Sequence, residues 1–206
     1  MITTLTLLLG CAIPLIYDPH SVDEDVIIEK GRVGDILIQV EWSPQSGPIR
    51  DATQSTFSHS GILVDVNDDG VLEVAEAVGP VRVIPVSHFL ESGDTQIRRL
   101  IDYDTHADNI NSNLEAAADK YMGRAYDFKF GWGDDKIYCS EFVWKAYNDI
   151  GIEVAPLSTY AALDLSGERV QRLIKARLEN PEDLKLTDTI LTPADLERSP
   201  FLTMIE

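Results

Sequence analysis

Between residues 35 and 101 apolar and polar positions alternate in short runs separated by turn-forming residues. Asp35–Glu41, reading Asp-Ile-Leu-Ile-Gln-Val-Glu after Gly34, predicts a strand. Ser58–Val66 predicts a second, with Ile62, Val64 and Val66 on one parity. Asn67-Asp68-Asp69-Gly70 predicts a hairpin turn, because Asn, Asp and Gly accept the positive φ of tight turns. Val71–Val78 is the return strand, ended by Gly79-Pro80, and Val81–Val86 and Gln96–Ile101 continue the series. The expected product is a mostly antiparallel sheet. Trp42–Thr56, rich in Pro, Ser, Gly and Gln, reads as a loop, and the polar, acidic residues 18–33 as a connecting segment.

Further along, the period becomes helical. Asn111–Tyr121 aligns Leu114, Ala117, Ala118 and Tyr121, with Gly123 as its stop. Gly131–Asp135 is a turn, and Ser140–Ile150 carries the stripe Phe142, Val143, Ala146, Tyr147 and Ile150 before Gly151. Glu168–Leu178 reads as an exposed amphipathic helix, and 181–206 as an irregular, loosely packed tail. The sum is an α+β domain over 18–180 with a C-terminal tail over 181–206 and a separate segment over 1–17.

That first segment, Met1–Tyr17, has no charged side chain and contains Leu8-Leu9-Gly10-Cys11. This resembles a lipobox, in which the Cys becomes a lipidated first residue, and implies membrane attachment through Cys11 and a bacterial envelope location, periplasmic or lipid-anchored. The absence of a Lys or Arg n-region and the short apolar run speak for the other reading, a buried N-terminal strand in a cytoplasmic protein. Mass spectrometry of the native protein separates the two: an intact, unmodified Met1 ends the lipoprotein reading.

At 206 residues the chain is long enough for about 1.4 domains at ~150 residues each. Seventeen basic against 35 acidic side chains leave a charge of −18. Nucleic acid is therefore not an expected partner, nor is an anionic membrane face, since both are bound through Lys and Arg. Two cysteines, Cys11 and Cys139, make neither a disulfide framework nor a four-thiolate metal site. No Walker loop, dinucleotide fingerprint or HExxH is present, and Asn67–Gly70 lacks the alternating ligands of a calcium loop. No metal and no cofactor are expected.

The chemistry concentrates in Lys136-Ile137-Tyr138-Cys139-Ser140-Glu141-Phe142-Val143, where an apolar approach ends at a Cys that opens an amphipathic helix. Free N–H groups and the helix dipole there favour a thiolate and would stabilise an oxyanion, which suits acyl transfer. On local sequence alone Cys139 reads equally as a nucleophile or as a small buried hydrophobe. Among four histidines, His20 lies in the acidic segment, His106 in a polar turn and His88 at the start of a short helix. His59 begins a strand, from which an imidazole can be held rigidly against a sulfur, although a structural role there is the commoner case. The return strand carries Glu73 and Glu76. Glu76, between Ala75 and Ala77, is badly placed for an unpaired carboxylate and is the candidate orienter of the ring; Glu73 lies nearer the turn and faces solvent.

Together, Gly34-Asp35-Ile36-Leu37, Ser58-His59-Ser60-Gly61-Ile62, Glu76-Ala77-Val78-Gly79-Pro80-Val81, Tyr126-Asp127-Phe128 and Tyr138-Cys139-Ser140-Glu141 resemble the permuted papain-like cysteine hydrolases of the YaeF/YiiX family, within the NlpC-type superfamily. Their order matches, with His before Cys, and Thr192-Pro193-Ala194-Asp195-Leu196 and Ser199-Pro200 resemble the family's C-terminal segment. The resemblance covers about residues 33 to 200 and implies a circularly permuted papain-like fold, an antiparallel sheet packed against helices with the nucleophile at a helix N-terminus. It implies Cys139 as nucleophile, His59 as general base and Glu76 as orienting residue. Glu141 projects about 200° from Cys139 around the helix and is assigned to a neighbouring loop or helix end instead. The implied reaction is amide cleavage by acyl transfer, on a peptide or a cell-wall fragment. The alternatives are a lipid acyltransferase or esterase with the same three residues, or a non-catalytic, envelope-anchored binding module. The expected partner is a small molecule, peptide or lipid containing an amide or ester; an apolar groove beside Cys139 would favour lipid, a narrow polar cleft a peptide.

Overall fold

The computed structural model describes residues 20–65, 70–178, 180 and 183–206. The expectations for Met1–Tyr17, including Cys11, and for the tip of the 67–70 turn lie outside the described residues, apart from Gly70, which has the positive φ the turn requires.

Among the described residues, six strands form one antiparallel sheet in the order β10-β5-β1-β2-β3-β4: β1 (Ile36–Glu41), β2 (His59–Val64), β3 (Glu73–Ala77), β4 (Val81–Pro85), β5 (Gly93–Leu100) and β10 (Leu202–Ile205). Alternation sets what each face buries. Ile36, Ile38 and Val40 of β1, with Ile62 and Val64 of β2, join the core under α4 (Tyr103–Asp119) and α5 (Cys139–Asp149). Leu37, Leu63, Val74 and Ile97 face the other way, against α1 (Glu24–Lys30) and α3 (Val86–Leu90). Because both faces are covered, β1 reads as a nearly continuous apolar run. The buried exception, Gln39, has its Nε2 donating to the carbonyl of Phe89 (2.7 Å) and to Thr95 Oγ1 (3.0 Å). Short strands β6 (Ala125–Tyr126) and β7 (Lys136–Ile137) pair in parallel, and β8 (Ser158–Thr159) pairs antiparallel with β9 (Thr189–Ile190). No described helix is long and apolar enough to cross a membrane.

Gly34, ahead of β1, has φ +89°, and a Cβ there would stand 2.6 Å from Ile110 Cγ2 and 2.8 Å from Tyr147 Oη. The Tyr147 hydroxyl donates to the Gly34 carbonyl, so strain and steric overlap coincide. Gly34→Ala is expected to lower stability by about 2 kcal/mol or more in urea unfolding, with an unchanged m-value.

Four sequence expectations are corrected. Residues 18–33 contain α1, whose Asp23 Oδ1 accepts from Val26 N (3.1 Å) and whose Ile27 is fully buried. The 42–56 segment contains α2 (Ser46–Thr53); its Gly and Pro fall in the first turn, where a missing N–H costs nothing. Helix α4 starts at Tyr103 and not at Asn111, because Tyr103, Ile110, Leu114 and Ala118 form one buried stripe. His106 is therefore helical, with Nε2 3.2 Å from Asp102 Oδ2. Finally, 181–206 is not a loose tail. It supplies β9, α7 (Pro193–Glu197, closed at its start by Thr192 and Asp195) and the edge strand β10, which pairs with β5.

Candidate active site

Tyr138 is the N-cap of α5 and Cys139 its first helical residue. Two bonds lock this turn to the C-terminal segment: Ser140 Oγ donates to the Leu191 carbonyl (2.8 Å), and Leu191 N–H donates to Tyr138 Oη (3.1 Å). The first-turn N–H groups of α5 lie beside the sulfur, as any helix start leaves them. Cys139 is buried and lines a cavity.

His59, the first residue of β2, meets that sulfur: Cys139 and Glu76 are both hydrogen-bond partners of the imidazole. Its Nε2 lies 2.7 Å from Glu76 Oε2, so Nδ1 is the nitrogen left for the thiol. The strands explain the reach. Gly61 stands opposite Glu76, and His59 is two residues back on the same face, a diagonal neighbour. Phe89 of α3 covers the ring, 5.5 Å between centroids. Burial pushes the imidazole pKa down, but the hydrogen bonds to Cys139 and Glu76 and the two charges push it up to about 10. The imidazole is therefore protonated at neutral pH. Glu76 is buried and burial raises its pKa, yet the bonds and charges of His59 and Arg82 hold it below the usual carboxylate range.

Cys139, His59 and Glu76, the residues expected from sequence, are thus brought together, and Glu73 is left outside the contact. His20 pairs with Glu206 (3.7 Å), and His88 is exposed. The sequence reading gave no role to two further residues. Arg82 stands directly opposite Glu76 across β3 and β4 and donates Nε (2.9 Å) and Nη2 (2.7 Å) to Glu76 Oε1. The second is Tyr126, buried beside Cys139, whose hydroxyl accepts from Gln45 Nε2 (3.3 Å). Burial and the nearby Cys139 raise its pKa well above the ordinary value, so the phenol keeps its proton as a donor.

Glu141 points away from the site. Its Oε2 accepts from Tyr138 N–H (3.3 Å), and Oε1 lies 2.9 Å from Lys145 Nζ. Burial, only partly offset by Lys145 and the Tyr138 N–H, lifts its pKa from 4.5 to about 7. Between these values the unfolded chain loses its proton first, so the native state binds more protons and stability falls as pH rises. Wild-type protein is expected to lose about 3 kcal/mol from this group between pH 4.5 and 7. Glu141→Gln should flatten that slope in denaturation midpoints measured against pH.

The cavity beside Cys139 has a volume of about 90 Å³ and is walled mainly by apolar side chains of α2, α6 (Glu168–Arg177) and the loops after α5. Helix α6 is thus not simply exposed: Val170, Leu173 and Ile174 turn toward the cavity, and Arg169 anchors the helix to Asp51 of α2 through two bonds of 2.7 and 2.6 Å. Among the described residues, no group of three or more His, Cys, Asp or Glu is placed to hold a metal ion.

Residues 30–206 match the profile of the permuted papain-like amidase enzymes, the YaeF/YiiX, C92 family. The uncharacterized protein YiiX of Escherichia coli (strain K12) is 34% identical over 177 residues, 84% of this chain and 85% of that protein. A crystal structure described as the metalloprotein yiiX, from Escherichia coli O157:H7, superposes with a TM-score of 0.77 at 34% identity, covering 85% of this chain and 96% of that one.

Proposed function

The chain belongs to the permuted papain-like amidase family, and from that premise we propose that it is a cysteine-dependent hydrolase working through Cys139, His59 and Glu76. The observation that carries this reading is the thiol at the start of α5, hydrogen-bonded to an imidazole that a buried carboxylate holds from behind and facing a cavity.

Cys139 Sγ attacks the carbonyl carbon while His59 carries the thiol proton. The tetrahedral oxyanion accepts hydrogen bonds from first-turn N–H groups of α5 and from the Tyr126 hydroxyl. The His59 imidazolium gives its proton to the leaving nitrogen, the C–N bond breaks, and a thioester remains on Cys139. Water, deprotonated by His59, attacks the thioester, and the acid and the free thiol are released. Glu76 fixes the ring and supports its charge, and Arg82 fixes Glu76.

The lining of the cavity favours one substrate class over another. Walls such as Leu163, Leu165, Leu173 and Ile174 suit a long aliphatic acyl chain better than a polar peptide or wall fragment. We therefore place the lipid reading, cleavage or transfer of an acyl group from an amide or ester, ahead of the peptide reading. The test is to incubate the protein with dodecanoyl and short-peptide nitroanilides, quench in acid and weigh it. A dodecanoyl adduct on the Cys139 peptide is expected. Peptidyl adducts alone would reverse the preference, and the absence of both adducts and turnover would remove the hydrolase reading and leave the binding module.

A further inference from the structure

Arg177 ends α6 and lines the same cavity as Cys139. Its guanidinium lies over two aromatic rings, 5.3 Å from the Phe128 centroid and 4.9 Å from that of Phe130. Nη2 donates to Gln45 Oε1 (2.7 Å). Nη1 is shielded from water and has no hydrogen-bond partner. No carboxylate among the described residues lies within ion-pair distance. Asp127 faces the group from farther off, its oxygens accepting from the Lys129 and Gly131 N–H groups (2.8 Å each). Burial accordingly lowers the Arg177 pKa.

A shielded cationic donor without an acceptor is costly unless something else supplies one. The stacking fixes the plane of the guanidinium, and a planar, fixed guanidinium is suited to carboxylate and phosphate oxygens. A relay of contacts relates it to the nucleophile: Gln45, which holds Arg177, also donates to the Tyr126 hydroxyl beside Cys139. Charge makes the arrangement specific. The chain as a whole carries −18, yet among the described residues the charged side chains lining this cavity are Lys129 and Arg177, both cationic.

We propose that Arg177 Nη1 forms an anion subsite of this cavity, taking a carboxylate or phosphate carried close to the scissile carbonyl of an amphiphilic substrate whose apolar chain fills the rest. The substrate class is then an acyl compound with an anionic head, such as an N-acyl amino acid. The inference rests on the acyl-chain reading above, and binding can be scored apart from turnover.

The experiment uses the full chain with Cys139→Ala, so that no substrate is consumed. Affinities are measured by calorimetry for N-dodecanoylglycine, N-dodecanoylglycinamide and dodecyl phosphate. At least one anion is expected to bind about tenfold or more tighter than the neutral amide, the size of a charge-assisted bond; the tighter of the two tells a carboxylate head from a phosphate head. Adding Arg177→Gln should bring the anions down to the amide while the amide keeps its affinity. Equal binding of anion and amide to the parent protein would overturn the proposal. So would an anion preference that survives Arg177→Gln, an equal weakening of all three ligands, which would make Arg177 merely a wall of the cavity, or no binding of any of them. Failure of the wild-type protein to hydrolyse N-acyl substrates would count against the hydrolase reading alone, because the binding comparison does not depend on turnover.

Discussion

Cys139→Ser is expected to cost at least about 10³-fold in kcat/KM, while circular dichroism and the thermal midpoint stay close to wild type. The hydroxyl fits the space, since Cys139 sits at the first turn of α5 with Ser140 already bonded to Leu191 beside it. What is lost is nucleophilicity: an alcohol oxygen holds its proton far more tightly than sulfur and does not hand it to the imidazole before attack. The acyl adduct should also vanish from intact-mass spectra. Retention of turnover by the serine variant would mean that Cys139 does not carry the acyl group.

His59→Ala is expected to lower both turnover and the alkylation of Cys139 by iodoacetamide. In the wild type the hydrogen bonds and charges of Cys139 and Glu76 lift the imidazole pKa to about 10, so a cationic ring stands beside the sulfur through neutral pH. Remove the ring and the sulfur has no acceptor for its proton. Alkylation at pH 7 should then fall by about tenfold or more and recover only as the pH approaches the ~8.5 of an ordinary thiol. The variant is readable only if folded, which the sheet permits: His59 opens β2, the strand register rests on the backbone pairs, and Arg82 stays paired with Glu76. The opposite pattern, slow alkylation at every pH in both proteins, would mark Cys139 as a structural buried residue.

Legibility followed the range of the forces involved. The strands from 36 to 100 could be read because each buries a face and alternation survives in the residues. Cys139 and His59 could be shortlisted because a helix start and a strand start are local events, but their roles came from the family resemblance, since local sequence alone left each open to a structural reading. Helix α1 was hidden because its signals are polar: Asp23 caps it, Glu24 and Asp25 fill the first turn, and a single fully buried residue, Ile27, ties it down. Strand β10 was hidden because its partner lies about a hundred positions earlier, and nothing within four residues announces such a pairing. Arg82 was within reach. A hairpin turning at Gly79-Pro80 puts residue 82 opposite residue 76, so a carboxylate in an apolar strand had its counter-ion specified by the turn. The shielded Nη1 of Arg177 depends on how α6 lies against Phe128 and Phe130, and that is a tertiary fact.

The bonds from Leu191 to Tyr138 and Ser140, and the pairing of 202–205 with 97–100, have a consequence for biosynthesis. A nascent chain that has just exposed Cys139 has neither the clamp that sets the thiol's turn nor the strand that covers β5. Closing so long a loop is also entropically late in folding. The turn that carries Cys139 is therefore completed only once residue 191 has been made, and β5 gains its second neighbour only with residues 202–205. Until then β5 is an open edge that invites pairing with other chains.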